Sequence, residues 1–473
     1  MVSTSPAIRR ASSVFTWLAV AVLSVHSASA ATYFVNPTLG NDGSLGTQTL
    51  PWKSLSKAAA SAKAGDSVLV MPGTYVDPAA DPFHAFNPAS SGAPGAPIVF
   101  KSYQRHAAIL ASANKNFPAM GVNARKYIVI DGFRVQGGIG LRESSDNGVI
   151  RNCDVTGGFI QSGDVSLHWG IYLSGVAQSV VEHNYIHAPN PIGNKTHNGA
   201  GVMVIGVPAV CDGNLIQNNE ADGGGGVWYN AFGQKAGLIS NNTWKRNVAR
   251  NATAGFMGMG STDNTKFAVA NRFQENLIVN CKSAFELDHY CTGFLIHGNT
   301  AFNCQIFLNG GYRTDAEAKI TGTELWNNVF SGPTGGAFFR RDAKVVDWKV
   351  FLAFSDYNII RGSPAVWNYS QSMASLAEWR SATSLDPHSI SNDPQFANIA
   401  VGDFRLGTGS PAIHAGCDRK GTTGYDGRPP DVGAFPQGPT AAVLGFAWRL
   451  PGGRRQPAAP ANLGARAYDP IPD

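Results

Sequence analysis

The chain has 473 residues, of which only 15% are charged and 54 are glycine, and its formal net charge is +5 at neutral pH. This composition is typical of a repetitive all-β protein with many turns rather than of a helical enzyme. It does not indicate a nucleic-acid-binding protein, because the sequence has no cluster of lysine and arginine with interleaved aromatic residues.

The first predicted element is a signal peptide. Two arginines precede an apolar run at 14–25, and residues 28–30 (Ala-Ser-Ala) have the small side chains that precede a cleavage site. We predict cleavage after Ala30. The run is too short to cross a bilayer, and no later segment is long and apolar enough to do so. We therefore expect a secreted or periplasmic monomer with no transmembrane segment.

A short helix is expected to cap the start of the folded part. Residues 51–66 carry apolar side chains at helical spacing, with Pro51 near the start and Gly65 as a stop. The run SVLVMPGTY that follows is predicted to begin the first coil of a repetitive structure.

A repeat dominates the middle of the chain. Short apolar runs end at an asparagine at intervals of roughly 20 to 35 residues, and a second run, a glycine turn and a third run follow most of them. The asparagines are Asn152, Asn184, Asn214, Asn242, Asn276, Asn299 and Asn328. Strands this short cannot build a sandwich core, but stacked coils share one interior, and an asparagine at each bend can bond to the next. Irregular β-sandwich modules would not give this recurring order.

The pattern therefore predicts an all-β fold, a right-handed parallel β-helix (solenoid) with an N-terminal capping helix and an irregular C-terminal cap. The predicted boundaries are a signal peptide at 1–30, the β-helix with its N-terminal cap at 31–365, the C-terminal cap at 366–436 and a disordered tail at 437–473. The C-terminal cap is expected to contain one helical stretch, SLAEWRSA.

Six cysteines remain, and in an oxidising compartment some of them can pair. Cys281 and Cys304 each follow an asparagine, one repeat apart, so they are either bonded to each other or stacked as small buried residues. No Cys/His spacing indicates a zinc site.

Two segments carry a family resemblance. The run TYFVNPTLGNDGSLGT followed by PWKSLSKAAASAKAGDSVLVMPGTY resembles the opening of secreted polysaccharide lyases in the pectate-lyase superfamily. FRLGTGSPAIHAG with YDGRPPDVGAF is similar to the terminal segment of many proteins in that group. The resemblance spans roughly residues 32–436 and implies export and a right-handed β-helix. Members of the group include lyases, epimerases, hydrolases and proteins with no known activity.

The catalytic motifs of that superfamily are not matched. The hydrolase motifs NTD, DD, GHG and RIK do not occur in order, and the calcium-dependent lyase motif DDGWDL does not occur. The position of the lysine base of alginate and chondroitin lyases falls in GMGSTDN, which has no lysine. Residue roles are therefore not transferred from these motifs.

The stretch AFELDH is the strongest candidate for a functional site. Alternation along a strand points Phe285 and Leu287 inward and Glu286 and Asp288 outward. Aromatic and polar side chains on one outer face suit a bound sugar chain. The same phase on neighbouring coils is predicted to expose Tyr172, Met203, Trp228, Asn230, Met257, Phe307 and Asn309, of which Tyr172, Trp228, Asn230 and Asn309 are predicted to bind substrate.

The predicted activity is cleavage of an acidic, uronate-containing polysaccharide by β-elimination, so the expected partner is an acidic polysaccharide. This reaction needs a base beside the substrate carboxylate and a cation that neutralises that carboxylate. Lys195 or His289 is the predicted base. Arg313, or a calcium ion held by Glu286 and Asp288, is the predicted cation.

Several alternatives stay open. Glu286 and Asp288 can equally be solvated outward residues, Arg340 and Arg341 are expected to form surface pairs, and glycoside hydrolase or uronate epimerase activity is possible on the same fold. The chain can also be a non-catalytic glycan-binding or surface-structural protein. DPHS at 386–389 resembles an epimerase motif by letters only and is expected in the C-terminal cap, away from the coils.

Overall fold

The structure is a computed structural model. It describes residues 30–77, 85–113, 117–160, 168–187, 200–207, 209–223, 226–233, 238–260, 268–310, 320–332, 336–341, 348–362, 365–368, 371–419 and 428–435. The predicted signal peptide before Ala30 and the predicted tail at 437–473 lie outside these residues. In the part of the chain that is described, no helix is both long enough and apolar enough to span a membrane.

Three long sheets run the length of the molecule, and successive coils add one strand to each. The first sheet contains Thr32–Val35, Ser67–Val70, Ile98–Ser102, Ile128–Asp131, Val149–Arg151, Val180–Glu182, Leu215–Gln217, Thr243–Lys245, Arg272–Gln274, Leu295–His297, Thr323–Trp326 and Leu352–Asp356. The second contains Gly73–Val76, Ala108–Ala111, Arg134–Gln136, Asp154–Thr156, Tyr185–His187, Glu220–Asp222, Val248–Arg250, Leu277–Val279, Thr300–Phe302, Val329–Ser331 and Ile359–Arg361.

The third sheet carries the candidate site. Its strands are Met120–Asn123, Ile139–Arg142, Phe159–Ile160, His168–Ser174, Ala200–Gly206, Val227–Gly233, Ala254–Met259, Ser283–Asp288, Ile306–Gly310, Ala337–Arg341, Ala365–Asn368 and Gln371–Met373. Smaller sheets contain Cys211–Asp212, Ile239–Ser240, Ala268–Val269 and Cys291–Thr292, and the antiparallel pair Phe396–Asn398 and Asp403–Leu406. The helices are Leu55–Ser61, Trp348–Phe351 and Leu376–Thr383, and a 3₁₀ turn spans Ile399–Val401.

The prediction of an all-β right-handed parallel β-helix is confirmed. Apolar side chains from the three sheets fill one continuous interior, in which aromatic rings stack from coil to coil. Tyr229 stacks on Phe256 with ring centroids 4.8 Å apart, and Phe273 stacks on Phe285 at 5.7 Å. Ser54 begins the predicted capping helix, because its side chain accepts a hydrogen bond from the backbone nitrogen of Lys57.

Asparagines form ladders at the bends, as the repeat predicts, and two of the ladders in the described coils are buried. In each, the side-chain amide of one asparagine donates to the side-chain oxygen of the asparagine on the next coil, at 2.8–3.2 Å. The long ladder contains Asn184, Asn219, Asn247, Asn276, Asn299, Asn328 and Asn358, and the short one contains Asn214, Asn242 and Asn271. Asn152 belongs to neither and donates to Asp131.

Asp386 ends the long ladder, so the prediction that DPHS lies away from the coils is wrong. Asn358 donates to Asp386 at 3.0 Å, and Ser355 of the last coil donates at 2.6 Å. The Ser389 hydroxyl and the Trp379 indole also donate to this carboxylate, at 2.6 and 2.9 Å. The carboxylate therefore accepts four hydrogen bonds from side chains. A carboxylate only accepts hydrogen bonds, so it can close a ladder without needing a further acceptor beyond it.

The C-terminal segment also packs across the outer face of the second sheet. Phe404 and Phe435 cover Val248 and Leu277, and Leu406 and Val432 cover Val329 and Ile359. The apolar outward residues of this sheet are thereby removed from water, which stabilises the segment against the coils. The backbone nitrogen of Ala434 donates to Thr300 and fixes the segment in register.

All six cysteines are free thiols, and Cys281 and Cys304 are stacked one coil apart. Burial raises the pKa of Cys153 and Cys281 to about 12 and the pKa of Cys304 well above its usual value. Burial also raises the pKa of Cys211 and Cys417 to about 11. It raises the pKa of Cys291 well above its usual value. The thiolate, which is the reactive form, is therefore scarce at pH 8.

We expect the native protein at pH 8 to react slowly with a thiol reagent, because each cysteine pKa is raised above about 8.5, the value in unfolded chains. In denaturant without reductant all six thiols are expected to react at once. Titration with a chromogenic disulfide measures both. Two missing thiols in denaturant would instead indicate a bond between Cys281 and Cys304.

Candidate functional site

The outward side chains of the third sheet form one continuous row, here called the outer row. Backbone pairing places its members on successive coils, about 4.8 Å apart. The outer row contains Gly140, Tyr172, Met203, Asn230, Met257, Glu286, Asn309 and Arg340. Its first members are mostly apolar, and its last three, Glu286, Asn309 and Arg340, form a group here called the polar centre.

The polar centre contains Glu286, Asn309 and Arg340 on three consecutive coils. Phe285 and Leu287 lie in the interior, and Glu286 lies between them on the opposite side of the strand. The side-chain amide of Asn309 donates to Glu286 Oε1 at 3.4 Å. The Asn309 side-chain oxygen is buried and accepts no hydrogen bond from the described residues. A carboxylate, an amide and a guanidinium are therefore adjacent on one face.

Asp288 and His289 lie at the end of the strand that carries Glu286. His289 Nδ1 is 2.8 Å from Asp288 Oδ1, and the backbone nitrogen of His289 donates to the same oxygen at 3.0 Å. The two side chains are close enough for electrostatic attraction, although Nδ1 and the carboxylate oxygen are not aligned for a hydrogen bond. His289 Nε2 is buried and has no hydrogen-bond partner within the described ranges. It is therefore available to accept a proton.

Four of these polar side chains are buried, and Arg340 is half-buried. The exposed fraction is 1% for Glu286, 6% for Asp288, 4% for His289 and 1% for Asn309. Burial strengthens electrostatic interactions and makes an unsatisfied polar atom costly, by about 1–3 kcal/mol. A buried histidine nitrogen and a buried amide oxygen without partners are therefore typical of a site that binds a further group.

The apolar half of the outer row begins at Tyr172. Its ring lies directly over Gly140, where an added Cβ would be 2.1 Å from the ring. Tyr172 packs with Trp169, Met203 and Ile205 in a cluster separate from the main interior. Burial raises the pKa of the Tyr172 hydroxyl well above its usual value, so this phenol stays neutral. Asn230 follows on the row and is also buried.

The predicted orientation of Trp228 is wrong. Trp228 and Tyr229 both lie in the interior, and Trp228 is only 1% exposed. The Trp228 indole donates to the backbone oxygen of Arg250 at 2.6 Å. Strict alternation fails here, because Trp228 and Tyr229 are consecutive residues near the start of the strand Val227–Gly233 and both pack in the interior. Phe307 lies in the interior for the same reason.

Two predicted catalytic residues, Lys195 and Arg313, lie outside the described residues. Arg340, which was expected to form a surface pair, is the next member of the outer row after Asn309. The signal for it was present in the sequence. Arg340 follows the interior residue Phe339, so the alternation that places Glu286 outward also places Arg340 outward.

The described residues do not fit the calcium ion expected from the sequence. They contain no group of three or more His, Cys, Asp or Glu side chains that could hold a metal ion. Glu286, Asp288 and the amide oxygen of Asn309 supply fewer donors than the roughly six to eight oxygens that calcium takes. Calcium at Glu286 and Asp288 stays a prediction from the sequence.

Comparison with known proteins supports the fold. A family model described as "Protein of unknown function (DUF1565)" matches residues 38–89. The chain is similar to the uncharacterized protein YwoF of Bacillus subtilis (strain 168), with 23% identity over 457 residues, 80% of this chain and 91% of YwoF.

Among solved structures, pectate lyase Pel9A matches with a TM-score of 0.52 and 16% identity over 86% of this chain and 96% of Pel9A. The fold is that of the pectate lyases. The sequence resemblance to this superfamily is thereby confirmed for the fold. A rhamnogalacturonan lyase also matches, with a TM-score of 0.42 and 17% identity over 87% of this chain and 97% of the lyase.

Proposed function

We propose that this protein is an exported polysaccharide lyase that cleaves an acidic, uronate-containing polysaccharide by β-elimination. The observation that carries the proposal is the polar centre of the outer row, where Glu286, Asn309 and Arg340 lie on consecutive coils and the strand of Glu286 ends at Asp288, which pairs with His289. The pectate lyase fold is consistent with it. Export would follow from the signal peptide predicted at 1–30.

In the proposed reaction His289 Nε2 removes the proton from the carbon beside the sugar carboxylate. The bond from the adjacent carbon to the glycosidic oxygen then breaks, a carbon–carbon double bond forms, and the leaving oxygen takes up a proton. Asp288 holds the imidazole and stabilises the imidazolium that forms. His289 Nε2 is assigned as the base because it has no hydrogen-bond partner among the described residues.

Arg340 is proposed to neutralise the substrate carboxylate. Removing a proton beside a carboxylate builds negative charge on that group, and a guanidinium can bond both of its oxygens. Asn309 lies on the coil between Arg340 and the strand that carries Glu286 and leads into His289, and its amide and the Glu286 carboxylate can bond sugar hydroxyls.

Glycoside hydrolysis is the second candidate, favoured by the acidic pair. Glu286 and Asp288 leave one strand on the same side, two residues and about 6.6 Å apart along the backbone. Hydrolases use two carboxyl groups roughly 5 to 9.5 Å apart. The two reactions differ in product, because elimination leaves an unsaturated sugar end and hydrolysis does not.

The test is incubation of the mature protein with pectate, alginate and glycosaminoglycans, followed by ultraviolet absorbance and reducing-end assays, with calcium and with chelator. Lyase activity gives rising absorbance together with new reducing ends. New reducing ends alone would indicate a hydrolase, and a change of sugar configuration without cleavage an epimerase. Binding without any chemistry would leave a glycan-binding protein.

Arg340→Gln is expected to lower kcat/KM about 100-fold, because the carboxylate loses its charge partner. Steady-state kinetics on the cleaved polymer measure the change. Arg361→Gln is the control, since Arg361 forms an exposed ion pair with Asp393 on the second sheet. Equal activity of the Arg340 and Arg361 variants would show that Arg340 does not contact the substrate.

A further inference from the structure

The turn that carries His289 has an unusual backbone. His289 and Tyr290 are consecutive non-glycine residues with φ of 35° and 44°, and both are buried. The left-handed region is costly for such residues, at about 1–3 kcal/mol each, and the cost is tolerated where the surrounding structure enforces it. Strain of this kind collects at functional sites.

Gly260 is the residue that enforces the turn from the neighbouring coil. Its backbone nitrogen donates to the backbone oxygen of His289 at 2.8 Å. A Cβ at Gly260 would lie 2.7 Å from the Tyr290 Cβ and 2.8 Å from the backbone oxygens of His289 and Tyr290. Only glycine allows this close approach.

The rest of the turn is also bonded in place. The backbone oxygen of Tyr290 accepts from the nitrogen of Ala268 at 3.0 Å, and the backbone oxygen of Asp288 accepts from Cys291 Sγ at 3.2 Å. The imidazole of His289 is consequently held against Asp288 by its backbone, while Nε2 has no described hydrogen bond of its own.

We propose that Gly260 is a positioning residue for the base, holding the His289–Tyr290 turn so that Nε2 stays aimed at the substrate proton. This inference rests on the proposed function. A base must sit within hydrogen-bond reach of the proton it removes, and a displacement of about 1 Å can cost roughly 100-fold in rate. Gly260 acts only through His289, so its loss should change kcat and leave KM unchanged.

The test compares Gly260→Ala, just after the strand Ala254–Met259, with Gly255→Ala, a matched control within that strand. A Cβ at Gly255 would meet Ile278 at 2.8 Å and the backbone oxygen of Ala284 at 3.0 Å, a similar crowding away from His289. We expect Gly260→Ala to lower kcat roughly 100-fold with unchanged KM, and Gly255→Ala to keep kcat at equal folded fraction. Equal kcat losses in both variants, or none in Gly260→Ala, would overturn the inference.

A second pair keeps the inference testable if Gly260→Ala does not fold. Tyr290→Gly and Tyr290→Asn both remove the ring, but asparagine prefers the left-handed region and glycine leaves the backbone free. We expect Tyr290→Asn to retain at least ten times the kcat of Tyr290→Gly. Equal kcat values would contradict the inference.

Nitrogen-15 spectra of the histidine rings give a readout that is independent of activity. The His289 signals, assigned by their loss in a His289 variant, should shift in Gly260→Ala and stay in place in Gly255→Ala. Unmoved signals would overturn the inference while leaving the proposed lyase intact. A wild type that forms no unsaturated product would overturn both.

Discussion

His289→Asn is expected to lower the rate of polysaccharide cleavage by about 100- to 10,000-fold, the usual contribution of a general base. Asparagine adopts the left-handed backbone of this position readily, so the turn should persist. It cannot accept the substrate proton in place of His289 Nε2. The initial rate of product formation at saturating polymer measures the effect, and the thermal midpoint checks that the variant is folded.

His183→Asn is the matched control. His183 also has a positive φ, of 56°, and it lies at a bend between the first and second sheets. The substitution therefore makes the same chemical change in a similar backbone conformation. His183 is exposed and lies away from the outer row. We expect wild-type activity for this variant. A His289→Asn protein that cleaves at the wild-type rate would remove His289 from the reaction.

Asp386→Asn is expected to lower the free energy of unfolding by on the order of 3 kcal/mol. The variant keeps the size and left-handed preference of the residue, whose φ is 57°. The asparagine amide replaces one acceptor oxygen with an NH2 donor. Whichever oxygen is replaced, this donor faces another donor, either Trp379 Nε1 or Asn358 Nδ2. Urea unfolding followed by tryptophan fluorescence measures the loss.

Asp403→Asn makes the same chemical change in the same C-terminal segment. The hydrogen bonds of Arg405 hold the pKa of Asp403 below its usual value, but this ion pair is solvent-exposed and should contribute less than about 1 kcal/mol. We expect the urea midpoint of Asp403→Asn to stay near that of the wild type. Similar losses in the two variants would mean that the ladder does not need a carboxylate at its end.

Much of the fold could be predicted from the sequence because each coil repeats one physical solution. Asparagines at the bends must bond to one another, so their spacing predicts both the coil length and the ladders. The number of ladders could not be read from spacing alone. Asn214 and Asn242 lie five residues before Asn219 and Asn247, and both sets fit a repeat of the same length.

The candidate site was only partly predictable. Alternation places Glu286 and Asp288 on the outer side of the third sheet, but the same rule places Trp228 there, and Trp228 is in the interior. Alternation holds within a strand and fails at a corner of the coil, where two consecutive side chains can point inward. The burial of the acidic pair depends on the rest of the chain and has no local signal.

Arg340 and the His289 turn differ in how far the sequence could have predicted them. Arg340 could have been found by extending the register of the outer row by one coil beyond Asn309. The left-handed backbone of the turn could not, since it falls on two consecutive residues and a bulky residue such as Tyr290 does not favour it. The turn is in contact with Gly260, a residue of the preceding coil.

The measurement that tests the central claim most directly uses one acidic polymer in two forms, native and with its carboxylates reduced to alcohols. β-Elimination needs the carboxylate to stabilise the charge that forms when the proton leaves. We predict that the wild-type protein produces ultraviolet-absorbing, unsaturated ends from the native polymer and leaves the reduced polymer intact. Cleavage of both forms without any unsaturated product would contradict the assignment as a lyase.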